Sequence, residues 1–478
     1  MKLLNYTIKI IIALYLAKYV SELVIHENYI MFYAIVSGVL FLFSPWKYKF
    51  TLFSISAFYP FFIPGGFIVI NSPDWIMIIA PITCLIFIVE LAIDKQPMFS
   101  RKAFIFFAAV GVIALWAVVN YIKNPVLGKQ FSGASAEQGG IKSYFILFVG
   151  VTTFLCSYWF SRYKKIDFNK WMTIILYLSF FIGILRIFSY FYNFYIPLLG
   201  GTYKYLFFWQ LGEGEPYRIG GLSEAATIGI SSLIGLFYKR EWNTQAILLF
   251  AGFLIMLILS GGRGTFIGVV LALMLYVSLI NRKYFLPLLL SVLLFAGIYT
   301  LFFINAQLGQ TKIGRVLAYS DKDVEGQESR LIDARIFYEY FLENPVFGKG
   351  IGYDVSKFKD VKLEGAFQDV AIGNVIHGGH GAYMSIMGLF GIGGIFYFSV
   401  MLFGSIYYAY KIVKRNLHYR PDDVKLAVFA FILLITLAFT YVPGGDGYGD
   451  MTLWFLAGMI AGILAKDGDD KCLITINK

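Results

Sequence analysis

The chain of 478 residues is 59% hydrophobic and 19% aromatic, and only 14% of its residues are charged. Because a soluble domain carries about 25% charged residues, this composition excludes a chain that is solvated on all sides and indicates the lipid bilayer as its solvent. The formal net charge of +11 is typical of the basic cytoplasmic loops of a membrane protein, and no polar domain concentrates the lysines and arginines as nucleic-acid binding requires.

Apolar runs recur along the whole chain, many of them near the roughly 20 residues that a helix needs to cross the bilayer. The first run begins like a signal peptide but has no small-residue cleavage site, so we interpret it as an uncleaved first helix. The runs predict an all-α fold, a polytopic transmembrane helix bundle of about 12–14 spans in a single integral-membrane domain, residues 1–478. The candidate spans are 7–25, 29–45, 51–70, 75–93, 103–122, 143–160, 171–192, 222–238, 244–260, 264–280, 284–304, 383–410, 425–442 and 449–465.

The lysines and arginines of the short loops predict the orientation of the bundle. With the N-terminus inside, every inner turn is basic, whereas the outer turns 26–28, 71–74 and 443–448 contain no lysine or arginine. We therefore expect both termini in the cytoplasm. The longer loops expected on the other side are 123–142, 193–221, 260–263 and 305–382.

The large external loop, residues 305–382, contains nine Lys or Arg and eleven Asp or Glu. It is therefore not a general basic patch, and any anion site must come from particular residues. Residues 330–343 have apolar side chains at helical spacing, with Ser329 as a candidate N-cap and Pro345 as a stop signal. The glycines that permit a tight turn after this helix are Gly348, Gly350 and Gly352.

Two arginines outside the cytoplasm are candidates for binding an anion. Arg263 lies in LSGGRGTFIG between two spans, where glycines allow close backbone approach and the next helix offers its N–H groups to an anion; an arginine fork also binds phosphate in a bidentate manner. Arg330 begins the loop helix, where its positive charge interacts unfavourably with the helix dipole. A phosphate bound there would offset this interaction. The alternatives are snorkelling of Arg263 to the interface and a surface ion pair of Arg330 with Glu328 or Asp333.

Other charged residues are weaker candidates. Arg218 lies in PYRIGGLSEAATIG, six residues before Glu224, and an ion pair within the protein is the alternative for both. Arg335 falls about 140° round the loop helix from its first residue, so we rank it lower. Glu90 and Arg186 lie inside spans, where charges usually face the bundle interior, and pairing with each other is one interpretation.

The loop ends in HGGHGAYMSIMGLFG, which contains His377 and His380. Two histidines at i and i+3 on a helix could ligate zinc, but the two intervening glycines disfavour a helix and no third ligand is evident, so we expect no metal. A neutral imidazole is a natural general base for a sugar hydroxyl. A structural histidine in the loop is the alternative for His380.

Four stretches, RIGGLSE, SGGRGTFIG, RLIDARIFYEYFLENPVFGKGIG and HGAYMSIMGLFG, occur in this order over about residues 200–400. Together they resemble the motifs of the bacterial O-antigen ligase/polymerase superfamily. The resemblance implies diphosphate binding by Arg263 and Arg330 and a catalytic His380 that activates the acceptor hydroxyl. The chain departs from the family pattern at two positions. Gly381 stands where the family has an asparagine after the histidine, and Leu389 stands where the family often has an acidic residue. The predicted substrate-binding residues are Arg218, Glu224, Arg335, His377 and Tyr383.

The resemblance further implies a glycosyltransferase, without metal or cofactor, in the bacterial inner membrane with a periplasmic active site. We expect a polymerase that transfers glycan from undecaprenyl diphosphate to a lipid-linked acceptor; the alternatives are an O-antigen ligase acting on lipid A-core, a flippase of lipid-linked oligosaccharide, and a non-catalytic assembly partner. A transporter more often has internal repeats and charges within its spans.

The expected partners are the undecaprenyl-diphosphate-linked oligosaccharide, membrane lipid, and a chain-length regulator and flippase of the pathway. No nucleic acid is expected among them.

Overall fold

A computed structural model describes most of the apolar segments of the chain. Within the residues that it describes, the protein is a bundle of helices, as predicted. The predicted span 7–25, nearly all of 29–45 and 284–304, and residues 59–70 of the span 51–70 lie outside the described residues. The described residues are 44–58, 75–123, 141–164, 166–192, 208–209, 218–219, 221–260, 263–280, 334–351, 381–415, 419–442 and 449–476, with Phe41, Leu286, Leu289 and Leu290.

Most of the described helices follow the predicted spans closely, whereas of the predicted span 51–70 only residues 51–58 are described, in a helix that begins at Trp46. They are α1 (Trp46–Phe58), α2 (Trp75–Ile93), α3 (Phe104–Lys123), α4 (Ile141–Tyr163), α5 (Phe168–Tyr192), α6 (Leu222–Leu236), α7 (Thr244–Leu259), α8 (Arg263–Ile280), α9 (334–343), α10 (Ala382–Phe398), α11 (Ser405–Lys414), α12 (Pro421–Thr440) and α13 (Met451–Ile476). A 3₁₀ turn, Arg101–Ala103, precedes α3, and a π-helical turn, Ser399–Gly404, joins α10 to α11. A two-residue antiparallel pair, β1 (Phe208–Trp209) and β2 (Arg218–Ile219), comes before α6.

Six helical segments in this part of the chain are long and apolar enough to cross a membrane: 76–93, 101–123, 144–163, 168–188, 382–414 and 421–440. Four shorter apolar helices accompany them, at 222–236, 244–259, 264–279 and 451–466. The fold is therefore that of a multi-pass membrane protein.

The basic turns meet at one end of the bundle. Lys164, after α4, pairs with Glu90 of α2 at 2.6 Å, and Lys425 of α12 donates to Asn169 Oδ1 of α5 at 2.6 Å. These turns are those that the charge pattern predicts on one side of the membrane. The pairing of Glu90 with Arg186, one of the sequence interpretations, is wrong, because Glu90 lies at the basic end with Lys164.

Close packing of α13 on α4 depends on small residues four apart. A Cβ on Gly458 would collide with the backbone oxygen of Phe154, and a Cβ on Gly462 would lie 2.5 Å from that of Tyr158. Small residues at this spacing let helix backbones approach in a membrane, where apolar burial does not drive association. Both helices can therefore pack at the centre of the bundle.

An aromatic cluster joins α13 to α1 and α5. Phe455 of α13 packs edge-on against Phe58 at the end of α1, with ring centroids 4.9 Å apart, and tilted against Trp171 of α5 at 6.4 Å. Such pairs contribute about 0.5–1.5 kcal/mol each beyond the area that they bury. The cluster fixes the end of α1, which reaches the cavity described next.

Candidate functional site

At the end of the bundle opposite to the basic turns, the helices leave a cavity of about 440 Å³. The ends of α1, α2, α4, α6, α8, α12 and α13 surround it. This volume lies within the range of about 300–1,000 Å³ that is usual for small-molecule sites. The polar side chains of its wall are Ser223, Glu224, Thr227, Thr265, Thr436, Thr440, Asp450 and Thr452.

Asp450 caps α13 and lines this cavity. Its Oδ1 accepts hydrogen bonds from the backbone N–H groups of Thr452 at 2.8 Å and Leu453 at 3.4 Å, which satisfies two donors that a helix start leaves open. Its Oδ2 accepts from the Tyr441 hydroxyl at 2.7 Å. Asp450 therefore ties the end of α12 to the start of α13.

The first turn of α6 forms another part of the wall. Glu224 lies there, where a carboxylate interacts favourably with the helix dipole, and the Ser223 hydroxyl donates to its Oε2 at 3.0 Å. Gly221 precedes the helix with a φ of +67°. The buried guanidinium of Arg186, from α5, lies directly against Gly221, so a side chain at Gly221 has no space.

Arg263 is the first residue of α8, and Thr265 of the same turn lines the cavity. The helix packs so close to α12 that a Cβ on Gly268 would lie 2.9 Å from the backbone oxygen of Thr436. The N-terminal turn of α8 therefore borders the cavity. The side chain of Arg263 lies outside the described structure.

Part of the external loop docks on α10 through backbone hydrogen bonds. The N–H groups of Lys349 and Gly350 donate to the carbonyls of Gly388 and Leu389 at 3.0 and 2.8 Å. Gly391 interrupts the helix with a φ of +57°. The predicted tight turn is confirmed at Gly348 and Gly350, whose φ angles are +68° and +82°, whereas Gly352 and the predicted start of the loop helix lie outside the described residues.

The same loop segment is held by side chains of α3 and α4. Trp116 Nε1 donates to the backbone oxygen of Val346 at 2.8 Å, and the Asn120 amide donates to that of Phe347 at 3.1 Å. The Tyr144 hydroxyl, in α4, donates to the Ile351 carbonyl at 2.6 Å. Residues 334–351 are thus attached to three spanning helices at the cavity end of the bundle.

We expect Gly388→Ala to weaken this docking. The new Cβ would lie 2.6 Å from the backbone oxygen of Phe337, and overpacking of this kind costs about 1–3 kcal/mol. Thermal unfolding in detergent and protease cleavage within residues 334–351 measure the effect. Gly404→Ala is the control, since its Cβ would meet Val400 Cγ1 at an ordinary 3.7 Å; equal melting temperatures and cleavage rates would contradict the docking.

The start of α10 is tied to the Asp450 cap. The Ala382 N–H donates to the Tyr441 carbonyl at 3.1 Å, and the Tyr441 hydroxyl donates to Asp450. Gly381, which follows the predicted catalytic His380, caps α10 with a φ of +100°. The described backbone nearest in sequence to His380 is therefore linked to the cavity wall.

Several predicted site residues are not described in full. Arg330, His377 and His380 lie outside the described residues, so their roles stay predictions. For Arg218 only the backbone is described, in β2 opposite Trp209, and its predicted pairing with the substrate or with Glu224 is untested.

The described candidates differ in their surroundings. Glu224 lines the cavity. Arg335 is exposed and pairs with Glu339 at 3.1 Å. The Tyr383 hydroxyl donates to the Ala438 carbonyl at 2.9 Å and so joins α10 to α12. Substrate binding by Glu224, Arg335 and Tyr383 stays a prediction, and their described contacts are intramolecular.

Sequence reasoning missed Asp450 and the position of Arg186. Asp450 ends GGDGYGD, inside the predicted span 449–465 and directly before the observed start of α13 at Met451, and an aspartate at such a helix start is a recognisable N-cap signal. No sequence signal placed Arg186 beside Gly221, because that contact joins two helices across a long connection.

Residues 246–399 match the family model of the O-antigen ligase. The matched region is about a third of the chain, and over it the sequence is similar to the O-antigen ligase/polymerase superfamily. The match begins in α7 and includes Arg263, the external loop and His380, whereas RIGGLSE lies before it. No curated protein matches the chain.

The match over residues 246–399 supports the resemblance to the O-antigen ligase/polymerase superfamily seen in the motifs. Members of this superfamily are glycosyl-transferring enzymes, and the family implies lipid-linked glycan substrates. Within the described ranges, no three His, Cys, Asp or Glu side chains lie close enough together to hold a metal ion. The two loop histidines, His377 and His380, are not among those ranges.

Proposed function

We propose that this protein is a polysaccharide polymerase that transfers a growing glycan from undecaprenyl diphosphate to a sugar hydroxyl of a lipid-linked repeat unit. The observation that carries the proposal is the cavity at the end of the bundle away from the basic turns, bordered by the α8 turn that begins at Arg263. Arg218 and Glu224 in RIGGLSE resemble a pair that is more typical of the polymerase branch of the superfamily, and this resemblance favours a polymerase.

In this mechanism His380 accepts the proton of the acceptor hydroxyl as its oxygen attacks the anomeric carbon of the donor glycan. The bond from that carbon to the diphosphate oxygen breaks, and the diphosphate leaves with the electron pair. Arg263 and Arg330 stabilise the negative charge that grows on the leaving group, which is usually the largest electrostatic contribution to such a reaction. Two guanidinium groups can supply this stabilisation without a metal.

The proposed location is the bacterial inner membrane, with the basic end in the cytoplasm and the cavity at the periplasmic face. The basic turns that meet around Lys164 and Lys425 support this orientation, because short cytoplasmic loops carry an excess of lysine and arginine. A flippase and a chain-length regulator of the same pathway would then supply the substrate and limit the product.

An O-antigen ligase is the second candidate, since the matched family model carries that description. A ligase uses the same donor chemistry and differs in the acceptor, which is lipid A-core. A flippase is less well supported, because the superfamily consists of glycosyl-transferring enzymes.

Deletion of the gene in the producing bacterium separates these candidates. If the protein is the polymerase, we expect surface glycan with a single repeat unit still attached and no longer chains, measured by gel electrophoresis of the glycolipid. Loss of all attached glycan would instead identify a ligase. An unchanged chain-length distribution would contradict both enzymatic candidates.

A further inference from the structure

We propose that the cavity is a subsite for the sugar part of the substrate, in which Asp450 and Glu224 accept hydrogen bonds from glycan hydroxyls while the diphosphate binds outside it. This inference rests on the proposed function and goes beyond it, because it assigns Asp450 a role in binding and divides the site in two. The division follows from the hydrogen-bonding character of the cavity wall.

Three of the five threonine hydroxyls of the wall, on α6 and α12, have their protons committed to backbone carbonyls of their own helix. Thr227 donates to the Ser223 carbonyl at 2.8 Å, Thr436 to the Ile432 carbonyl at 3.0 Å, and Thr440 to the Thr436 carbonyl at 2.9 Å. A hydroxyl carries one donor and two acceptor lone pairs. These three groups can therefore only accept a hydrogen bond from a ligand in the cavity.

The carboxylates of the wall are acceptors as well. Asp450 and Glu224 have no proton to offer when they are ionised. The Ser223 hydroxyl is already directed to Glu224, and the Thr452 hydroxyl donates to the Ala57 carbonyl at 3.4 Å. The wall formed by α6, α12 and α13 is thus rich in acceptors.

Such a wall selects among the parts of the proposed substrate. A neutral sugar offers several hydroxyl donors and no net charge, so it complements the acceptors. A diphosphate offers only acceptors at neutral pH and is repelled by the two carboxylates. The diphosphate is therefore expected at the N-terminal turn of α8 and the loop arginine, where Arg263 and Arg330 provide donors.

The Asp450 carboxylate also stands in a chain of contacts that leads to the start of α10. Tyr441 donates its hydroxyl to Asp450 and accepts through its carbonyl from Ala382, two residues after His380. We infer that Tyr441 is a positioning residue, which holds the sugar-binding carboxylate in a fixed relation to the segment that carries the proposed base.

The test compares the binding of two probes to the purified full-length protein. One probe is undecaprenyl diphosphate without sugar, and the other is the undecaprenyl-diphosphate-linked repeat unit extracted from the producing bacterium. Asp450→Asn removes the charge but keeps a good N-cap. It is expected to weaken binding of the repeat unit about 10- to 100-fold, the range for hydrogen bonds to charged groups, and to leave binding of sugar-free undecaprenyl diphosphate unchanged.

Three further variants complete the comparison. Glu224→Gln should show the same selective loss as Asp450→Asn, and Arg263→Ala should weaken both probes. Asp423→Asn is the matched control, because Asp423 is a buried carboxylate in the first turn of α12, paired with Lys466 at the opposite end of the bundle. This control should bind both probes as the unmodified protein does.

Two outcomes overturn the sugar subsite. One is unchanged binding of both probes by Asp450→Asn, and the other is an equal loss for both, which would assign Asp450 to the fold or to the diphosphate. If the unmodified protein elongates glycan while Asp450→Asn binds normally, the subsite fails and the proposed function stands. If the unmodified protein binds neither probe, the proposed function fails and the subsite with it.

Discussion

Replacement of Arg263 by alanine is expected to lower the rate of glycan transfer about 10²- to 10³-fold, the loss typical of removing one group that stabilises transition-state charge. The guanidinium is proposed to interact with the diphosphate more strongly as negative charge develops on it. The rate is measured as release of undecaprenyl diphosphate by purified protein at saturating donor concentration. Arg330→Ala should change the rate in the same direction.

Arg240→Ala is the matched control for the loss of a positive charge. Arg240 is exposed after α6, at the end of the bundle away from the cavity, and its replacement should leave turnover unchanged. A rate for Arg263→Ala within a few-fold of the rate of the control would show that Arg263 does not stabilise the leaving group. The interpretation of Arg263 as an arginine that snorkels to the interface would then be preferred.

His380→Ala should lower the rate of transfer about 10²- to 10⁴-fold, the range for removal of a general base. The acceptor hydroxyl would then lose its proton to water alone. His418→Ala, in the basic turn before α12, is the control for loss of a histidine and should be as active as the unmodified protein.

Donor binding distinguishes catalysis by His380 from a role in holding the substrate. Because the proposed base acts on the acceptor proton, the affinity for the undecaprenyl-diphosphate donor should be the same in His380→Ala and in the unmodified protein. A fall in donor affinity that matches the fall in rate would exclude the general-base role and would assign His380 to diphosphate binding.

Hydropathy was sufficient to predict most of the spanning helices that the structure describes. The predicted span 75–93 is found as Trp75–Ile93, and 244–260 as Thr244–Leu259, because the length of an apolar run directly limits the length of a spanning helix. The predicted span 383–410 is less simple, since Gly391 breaks its regular geometry and a π-helical turn follows. A regular α-helix and a helix with a break or a π-helical turn can have the same apolar composition, so hydropathy cannot distinguish them.

The site was harder to predict because much of it is built from backbone contacts. The loop segment docks through the N–H groups of Lys349 and Gly350, and such bonds leave no pattern of side-chain types. Asp450 lines the cavity and accepts a hydrogen bond from Tyr441. The outer turn between these two residues contains no lysine or arginine, so the charge pattern gave no reason to single it out. Glu224 was named from the motif RIGGLSE and lines the cavity, while its binding of substrate stays a prediction.

Glycan transfer by the purified protein in detergent tests the central claim most directly. Given the undecaprenyl-diphosphate-linked repeat unit as both donor and acceptor, the unmodified protein should produce longer lipid-linked glycans and release undecaprenyl diphosphate, while Arg263→Ala, Arg330→Ala and His380→Ala should not. Glycans that remain at one repeat unit with the unmodified protein, or equal elongation by all three variants, would contradict the account.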